Sequence, residues 1–249
     1  MDPIRIHIAG NTTPKTFLPR LLNRLQQSSS PLLRERLSNW RQSRMRNLGL
    51  SLDYRVQLIG PTVRRIATDC TMVADEFERG KESLSDCLAT HRAFVFTRTS
   101  LELEILLDVH GFLFQLRSSI ELLEAFLLAF FDGVLDKKET SATIRARLRA
   151  SGLDNSWVDR LWTLRDLVTH EATPPVAVEI LSTDPISFEL LVLRGFPSDN
   201  GDFPLPTPLS ELLDFYGGFQ DHLRLIEDWL IAEIRSFEQL DPQATQGRP

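Results

Sequence analysis

Apolar residues recur along most of the chain at alternating intervals of three and four, the signature of helices that bury one face. Residues 31–46 (PLLRERLSNWRQSRMR) set Leu33, Leu37 and Trp40 at this spacing among arginines, an amphipathic stripe. The stretch 61–90 is expected to open at Pro61, to run through Val63, Ile66, Met72, Val73 and Phe77, and to break at Gly80. From Leu101 to Leu135 the sequence is apolar on nearly every face, which predicts a central, largely buried helix, with Gly111 as a place for a kink. A short basic helix over Thr143–Ala150 follows, closed by Gly152. The next helix starts near Ser156 and Asp159, carries Trp157, Leu161, Leu164 and Val168 at helical spacing, and must end near His170 or Glu171 because Pro174-Pro175 cannot continue it.

The pattern then switches to a period of two. Val176–Leu181 and Ser187–Leu193 read as strands joined through Ser182–Ile186, a small hairpin. A proline-rich loop, GDFPLPTP at 201–208, leads to a last helix from about Leu209 to Glu238, with Gly217-Gly218 as a place for a bend. The tail 241–249 is expected to be disordered. The fold class is therefore mainly α: a helical bundle over 101–240 with one hairpin near 176–193 before the last helix, and a basic helical N-terminal region, 1–100, packed on it.

Composition narrows the class. Among the 249 residues, 42% are hydrophobic and 25% charged, which fits a folded globular chain and excludes a fibrous or low-complexity one. Two cysteines, Cys70 and Cys87, cannot make a disulfide scaffold and read as free, buried thiols. The opening MDPIRIHIAG has no apolar core of a leader, and charges interrupt Leu101–Leu135 before any run reaches the ~18 residues of a membrane helix. The expectation is a cytoplasmic protein without a membrane partner.

Charge is distributed unevenly. Residues 1–65 hold twelve basic against three acidic residues, a net +9, which leaves −15 on the remainder. Arg34, Arg36, Arg41, Arg44 and Arg46 concentrate this charge. Such a segment can bind the phosphates of RNA. It can equally neutralise the acidic part of its own chain or of a second copy.

Familiar chemical motifs are absent from the sequence: no GxxxxGK[ST], GxGxxG or GxSxG. The histidines His7, His91, His110, His170 and His222 show no metal-ligand spacing, and His110 and His222 fall on apolar helix faces, where a hydrogen-bonded core or boundary histidine is the ordinary case. One pattern stands out, Arg165-Asp166-Leu167-Val168-Thr169-His170, at the end of a helix just before a proline stop. A histidine in a last turn meets exposed carbonyls that favour its charged form, and its pKa stays within reach of neutrality, as acid–base work requires. Five positions place residues 165 and 170 about 140° apart on an ideal helix. They converge on one phosphate only if the last turn opens or two chains pool their residues. Asp166, four positions before His170, can orient the imidazole.

The segment RDLVTH resembles the R-x4–6-H motif of the HEPN superfamily, small helical-bundle domains found in many prokaryotic toxins and defence proteins. The resemblance covers roughly residues 105–238: the apolar helix 110–131, the short helix near 143–150, the motif helix 157–170 and the final helix 209–238. In catalytic members a polar residue commonly follows the arginine, and Asp166 fits. The resemblance implies a metal-independent endoribonuclease without cofactor, its site formed where two motif helices meet across a homodimer, with a partner protein able to restrain it. His170 would then be the general acid/base, Arg165 would hold the scissile phosphate and Asp166 would orient both. Some members are inactive, so the competing expectation is a non-catalytic module that binds protein or RNA. Arg117, four residues before Glu121 on the apolar helix, reads either as half of an intrahelical ion pair or as a second phosphate contact.

Overall fold

Met45, Leu52, Val56, Ile59, Val63, Ile66 and Val73 are all buried and follow one another at three, four or seven positions. In the computed structural model they form the seam of one helix, α1, Arg44–Arg79. The model describes residues 20–21, 23–24, 27–28, 44–79, 94–95, 99–131, 142–144, 146, 149–152, 155–170, 176–183, 186–193 and 206–240.

Pro61 is the first correction. The sequence places it at a helix start, but it lies inside the 36-residue α1. An internal proline removes one hydrogen bond and crowds the preceding turn, at about 3 kcal/mol. Val56 and Ile59 before it and Thr62, Val63 and Ile66 after it are buried on one continuous stripe. At about 1.5–3 kcal/mol per buried aliphatic side chain, that stripe outweighs the single defect. The helix stops at Arg79, whose Nε–H donates to the Asp75 carbonyl at 2.9 Å. Gly80, Cys87 and residues 31–43 lie outside the described residues, as do the tail 241–249 and residues 132–135 of the expected central helix.

Helix α2, Thr99–Phe131, is unbroken at Gly111. Its burial departs from the expectation. Ile105, Val109, Phe112, Leu113, Leu116 and Ile120 are buried, but Leu103, Leu107 and Phe114 are exposed. Residues 142–144, 146 and 149–150 are helical, and Gly152 ends that turn at φ +72°, its N–H donating to the Arg149 carbonyl at 3.2 Å. The left-handed conformation there suits glycine, as the sequence anticipates. Helix α3, Ser156–His170, and helix α4, Ser210–Leu240, complete the long helices, and α4 is continuous through Gly217-Gly218.

A four-stranded antiparallel sheet lies between α3 and α4 in sequence, apart from its first strand: β1 (Phe94–Val95), β2 (Val176–Thr183), β3 (Ile186–Val192) and β4 (Thr207–Pro208), in that order. The hairpin is longer than its apolar run suggests. Pairing continues through Ser182↔Ser187 to Thr183↔Ile186, with Leu181 as the irregularity after Ile180↔Phe188. Polar Ser and Thr extend the ladder because backbone groups make it. The edge strands β1 and β4 have two residues each and escape a periodicity search. Pro208 is tolerated at an edge, where no partner strand needs its missing N–H.

The described residues cluster into two compact units: those within Ile59–Gln115 and Ser156–Tyr216, and those within Thr13–Leu58, Leu116–Asn155 and Gly217–Pro249. Both draw residues from before and after position 100. In the first, Val176, Ala177 and Val178 are buried in succession opposite Leu190, Leu191 and Val192, so that end of the hairpin is covered on both faces. In the second, Phe131 stacks on Trp229 at 5.1 Å and meets Phe130 edge-on at 5.1 Å, while Arg20 pairs with buried Glu227 at 2.9 Å. No helix among the described residues is long and apolar enough to cross a membrane.

His222 is buried in α4, and burial pulls its pKa from 6.5 down to about 4. The unfolded chain therefore takes up a proton near pH 6.5 that the folded chain refuses until about pH 4. Stability should fall as pH drops through that window, by up to about 3 kcal/mol from this residue. Urea midpoints measured across the window for wild type and His222→Phe should show a shallower slope in the variant. A second expectation concerns Gly217, where an added Cβ would meet nothing within 4 Å. Gly217→Ala should stabilise α4 by about 1 kcal/mol and raise Tm by about 2–4 °C in a thermal melt.

Candidate functional site

The motif helix α3 is fixed by its apolar side. Trp157, Leu161 and Leu164 are buried at spacings of four and three. Arg165 follows Leu161 by one turn, so its stem lies along the buried edge and its side chain is only 23% exposed. Its Nη1 donates to Asp166 Oδ1 at 2.9 Å, and the Asp166 side chain is more than half exposed. The arginine is thus charged, half-buried and already engaged by the carboxylate beside it.

The backbone of α3 stays helical through His170. Positions 165 and 170 therefore keep their separation of about 140° around the axis, and the last turn does not open. The side chains of residues 167–170 lie outside what the structure describes.

Contacts of α3 and of the elements that follow it fall within one compact unit. Arg160, on the exposed side of α3, pairs with Glu211 at 2.8 Å in the first turn of α4 and sits 5.6 Å from the centre of the buried Phe215 ring. Glu102 of α2 accepts a hydrogen bond at 3.2 Å from the N–H of Val176, where β2 begins after the motif helix. At the base of the hairpin, Leu209 N–H donates to Leu190 carbonyl at 2.7 Å and Ser210 Oγ donates to Glu189 Oε1 at 2.6 Å. The start of β2 is thus tied to α2, and α3 to α4.

Of the other expected residues, Arg117 forms the intrahelical pair, Nε to Glu121 Oε1 at 3.0 Å. Arg44 is exposed in the first turn of α1, and Arg46 lies in the same turn. Arg34, Arg36 and Arg41 lie outside the described residues. Cys70 is a free thiol that burial and the neighbouring Asp69 push up to about 12, which makes it unreactive at neutral pH. His110 is exposed and His222 buried.

Sequence reasoning missed a second cluster. Arg65 of α1 straddles Asp108 of α2, with Nε at 2.9 Å from Oδ1 and 3.0 Å from Oδ2 and Nη2 at 2.9 Å from Oδ1. One turn along α1, Asp69 is only 8% exposed and its Oδ2 has no hydrogen-bond partner. Desolvation raises its pKa, and the carboxylates of Asp108 and Glu104 raise it further against a partial offset by Arg65. The signal was present as Glu104 and Asp108 four apart beside Leu103 and Leu107, but only the tertiary pairing brings Asp69 to them. Among the described residues, no group of three or more His, Cys, Asp or Glu is arranged to hold a metal ion.

No protein-family model, curated protein or solved structure matches the chain.

The Arg160–Glu211 tie is open to measurement. A double-mutant cycle of Arg160→Ala and Glu211→Ala, read by urea denaturation, should return a coupling of about 0.5–1 kcal/mol, because the arginine is half in solvent.

Proposed function

We propose that the chain is a metal-independent endoribonuclease of the HEPN type, working as a homodimer in a toxin or defence system under the restraint of a partner protein. The supporting observation is the motif helix itself: Arg165 half-buried against Asp166, with the helix intact to His170. An intact last turn keeps one chain's Arg165 and His170 positions apart, so a site built from two motif helices is the arrangement that puts an arginine and a histidine on one phosphate. Two chains also supply the two histidines that the reaction needs.

The reaction is a transesterification. One His170 takes the proton of the ribose 2′-hydroxyl, whose oxygen attacks the adjacent phosphorus. The bond to the 5′-oxygen breaks, and the other His170 gives that oxygen a proton. The products are a 2′,3′-cyclic phosphate and a 5′-hydroxyl. Arg165 faces the charge that grows on the non-bridging oxygens, where a fixed guanidinium is worth more than water. Asp166 holds the guanidinium in place before substrate arrives. In this scheme the exposed Arg44 and the rest of the basic stretch, Arg34 to Arg46, contact RNA outside the cleavage site.

A second reading, a non-catalytic module of the same fold that binds protein or RNA, draws on the same ion pair. A guanidinium already neutralised by its neighbour is a structural element that no phosphate is required to complete.

End-labelled total RNA and tRNA incubated with the purified protein separate the two. Cleavage should survive EDTA and fall by at least about 100-fold in both His170→Ala and Arg165→Ala, with folding retained. Mixing those two variants should restore no activity, because a mixed dimer holds one His170 and the reaction needs two. Intact RNA in every lane, from folded dimeric protein free of a partner, would establish the interaction module instead.

A further inference from the structure

Arg65 of α1 serves two helices of one compact unit. Its Nε lies 2.9 and 3.0 Å from the two carboxylate oxygens of Asp108 on α2, and its Nη2 is 2.9 Å from Oδ1. Nη2 also donates at 3.4 Å to Thr62 Oγ1, which in turn donates to Gln115 Oε1 on α2 at 3.3 Å. Two polar crossings from α1 to α2 therefore involve the same guanidinium.

Asp69 is the group this arrangement leaves out. It stands four residues after Arg65, the spacing at which an arginine and an aspartate can pair along one helix. It is only 8% exposed, and its Oδ2 has no hydrogen-bond partner. An ionised carboxylate buried without a donor is costly, and either a proton or a guanidinium relieves it. With Arg65 engaged by Asp108, the proton is what remains. Desolvation favours the protonated form most, the carboxylates of Asp108 and Glu104 on α2 add to it, and Arg65 on α1 opposes them. Cys70 beside it keeps its own proton up to about 12 and stays neutral. Exposure decides which partner moves: the Arg65 side chain is 58% exposed and that of Asp108 only 13%.

We propose that the Arg65–Asp108 fork is a proton-gated latch between α1 and α2, closed while Asp69 holds a proton. When Asp69 ionises, it draws Arg65 back along α1 and the fork opens. Asp108 then meets Asp69 and Glu104 without its counter-charge, and repulsion across the seam loosens it. The folded chain binds this proton more tightly than the unfolded chain, in which an aspartate titrates near 3.8. The latch's contribution to stability is therefore complete below that value and is lost as pH rises through the folded-state midpoint. Its direction is opposite to that of His222. The proposal does not depend on the ribonuclease reading.

NMR of the full chain tests it, following the Asp69 carboxyl carbon and the Arg65 Nε nitrogen from about pH 4 to about pH 8. The Asp69 signal should titrate with a midpoint above 3.8, and the Arg65 signal should move with the same midpoint. In Asp69→Asn, which keeps the shape of the protonated acid, Arg65 should hold its low-pH position throughout. His110→Gln, run in parallel, removes the exposed imidazole two residues from Asp108 as a source of the shift. Urea unfolding in a His222→Phe background gives a second reading, free of the opposing titration. Over the same range, the unfolding constant with Asp69 present should rise at least about threefold more than with Asp69→Asn, or with Asp69→Ser if asparagine disturbs folding. An Asp69 midpoint at or below 3.8 overturns the proposal, as do unfolding constants that run parallel. An Arg65 signal that stays fixed while Asp69 titrates overturns it too, and leaves Asp69 a buried acid with no hold on the fork.

Discussion

Helix α2 is held in place by the apolar side chains it buries, and much of the described structure follows from that constraint. Its buried side, from Ile105 through Phe112 to Phe131, contributes to the core of each compact unit in turn. Each of those side chains is worth about 1.5–3 kcal/mol when taken out of water, so the register of this helix is held hard. Three of its polar groups are placed by that register: Glu102 meets the start of β2, Asp108 meets Arg65, and Gln115 meets Thr62. Leu103, Leu107 and Phe114 of the same helix stay exposed.

The same antiparallel pairing of α1 with α2 concentrates negative charge. Arg65 is matched to Asp108 by a bidentate fork, and that match leaves Asp69 behind it, desolvated and short of a donor. A buried carboxylate in this condition rises in pKa and lowers stability in proportion. A chain retains such a group at a cost to its stability. The imbalance of +9 and −15 along the chain becomes, in three dimensions, a face with identifiable carboxylates.

On the motif helix, packing and chemistry are separated by one residue. Leu161 and Leu164 hold α3 in the core, and Arg165 stands at the edge of the face they define. The guanidinium is steadied by Asp166 from the exposed side. Because α3 remains helical to His170, the distance between arginine and histidine positions is set by the helix and not by a loop.

Periodicity by itself determined the helices, since a repeat of three and four admits little else: α2, α3 and α4, the stop at His170 before two prolines, the left-handed Gly152 and the hairpin near 176–193 are all legible in the residues. Local rules failed where burial overrode them. Pro61 reads as a helix start, yet the buried seam from Met45 to Val73 carries α1 past it. Strands of two residues, at Phe94–Val95 and Thr207–Pro208, leave no periodic trace because their identity is a backbone pairing with a distant segment. The motif residues Arg165, Asp166 and His170 were visible as a spacing, but the pairing of Arg165 with Asp166 and its half-burial belong to the folded helix. The apolar pattern predicted a largely buried α2, and only the tertiary structure showed that Leu103, Leu107 and Phe114 are exposed. Exposure is a property of what lies opposite a residue, and a sequence states what a residue is without stating what faces it.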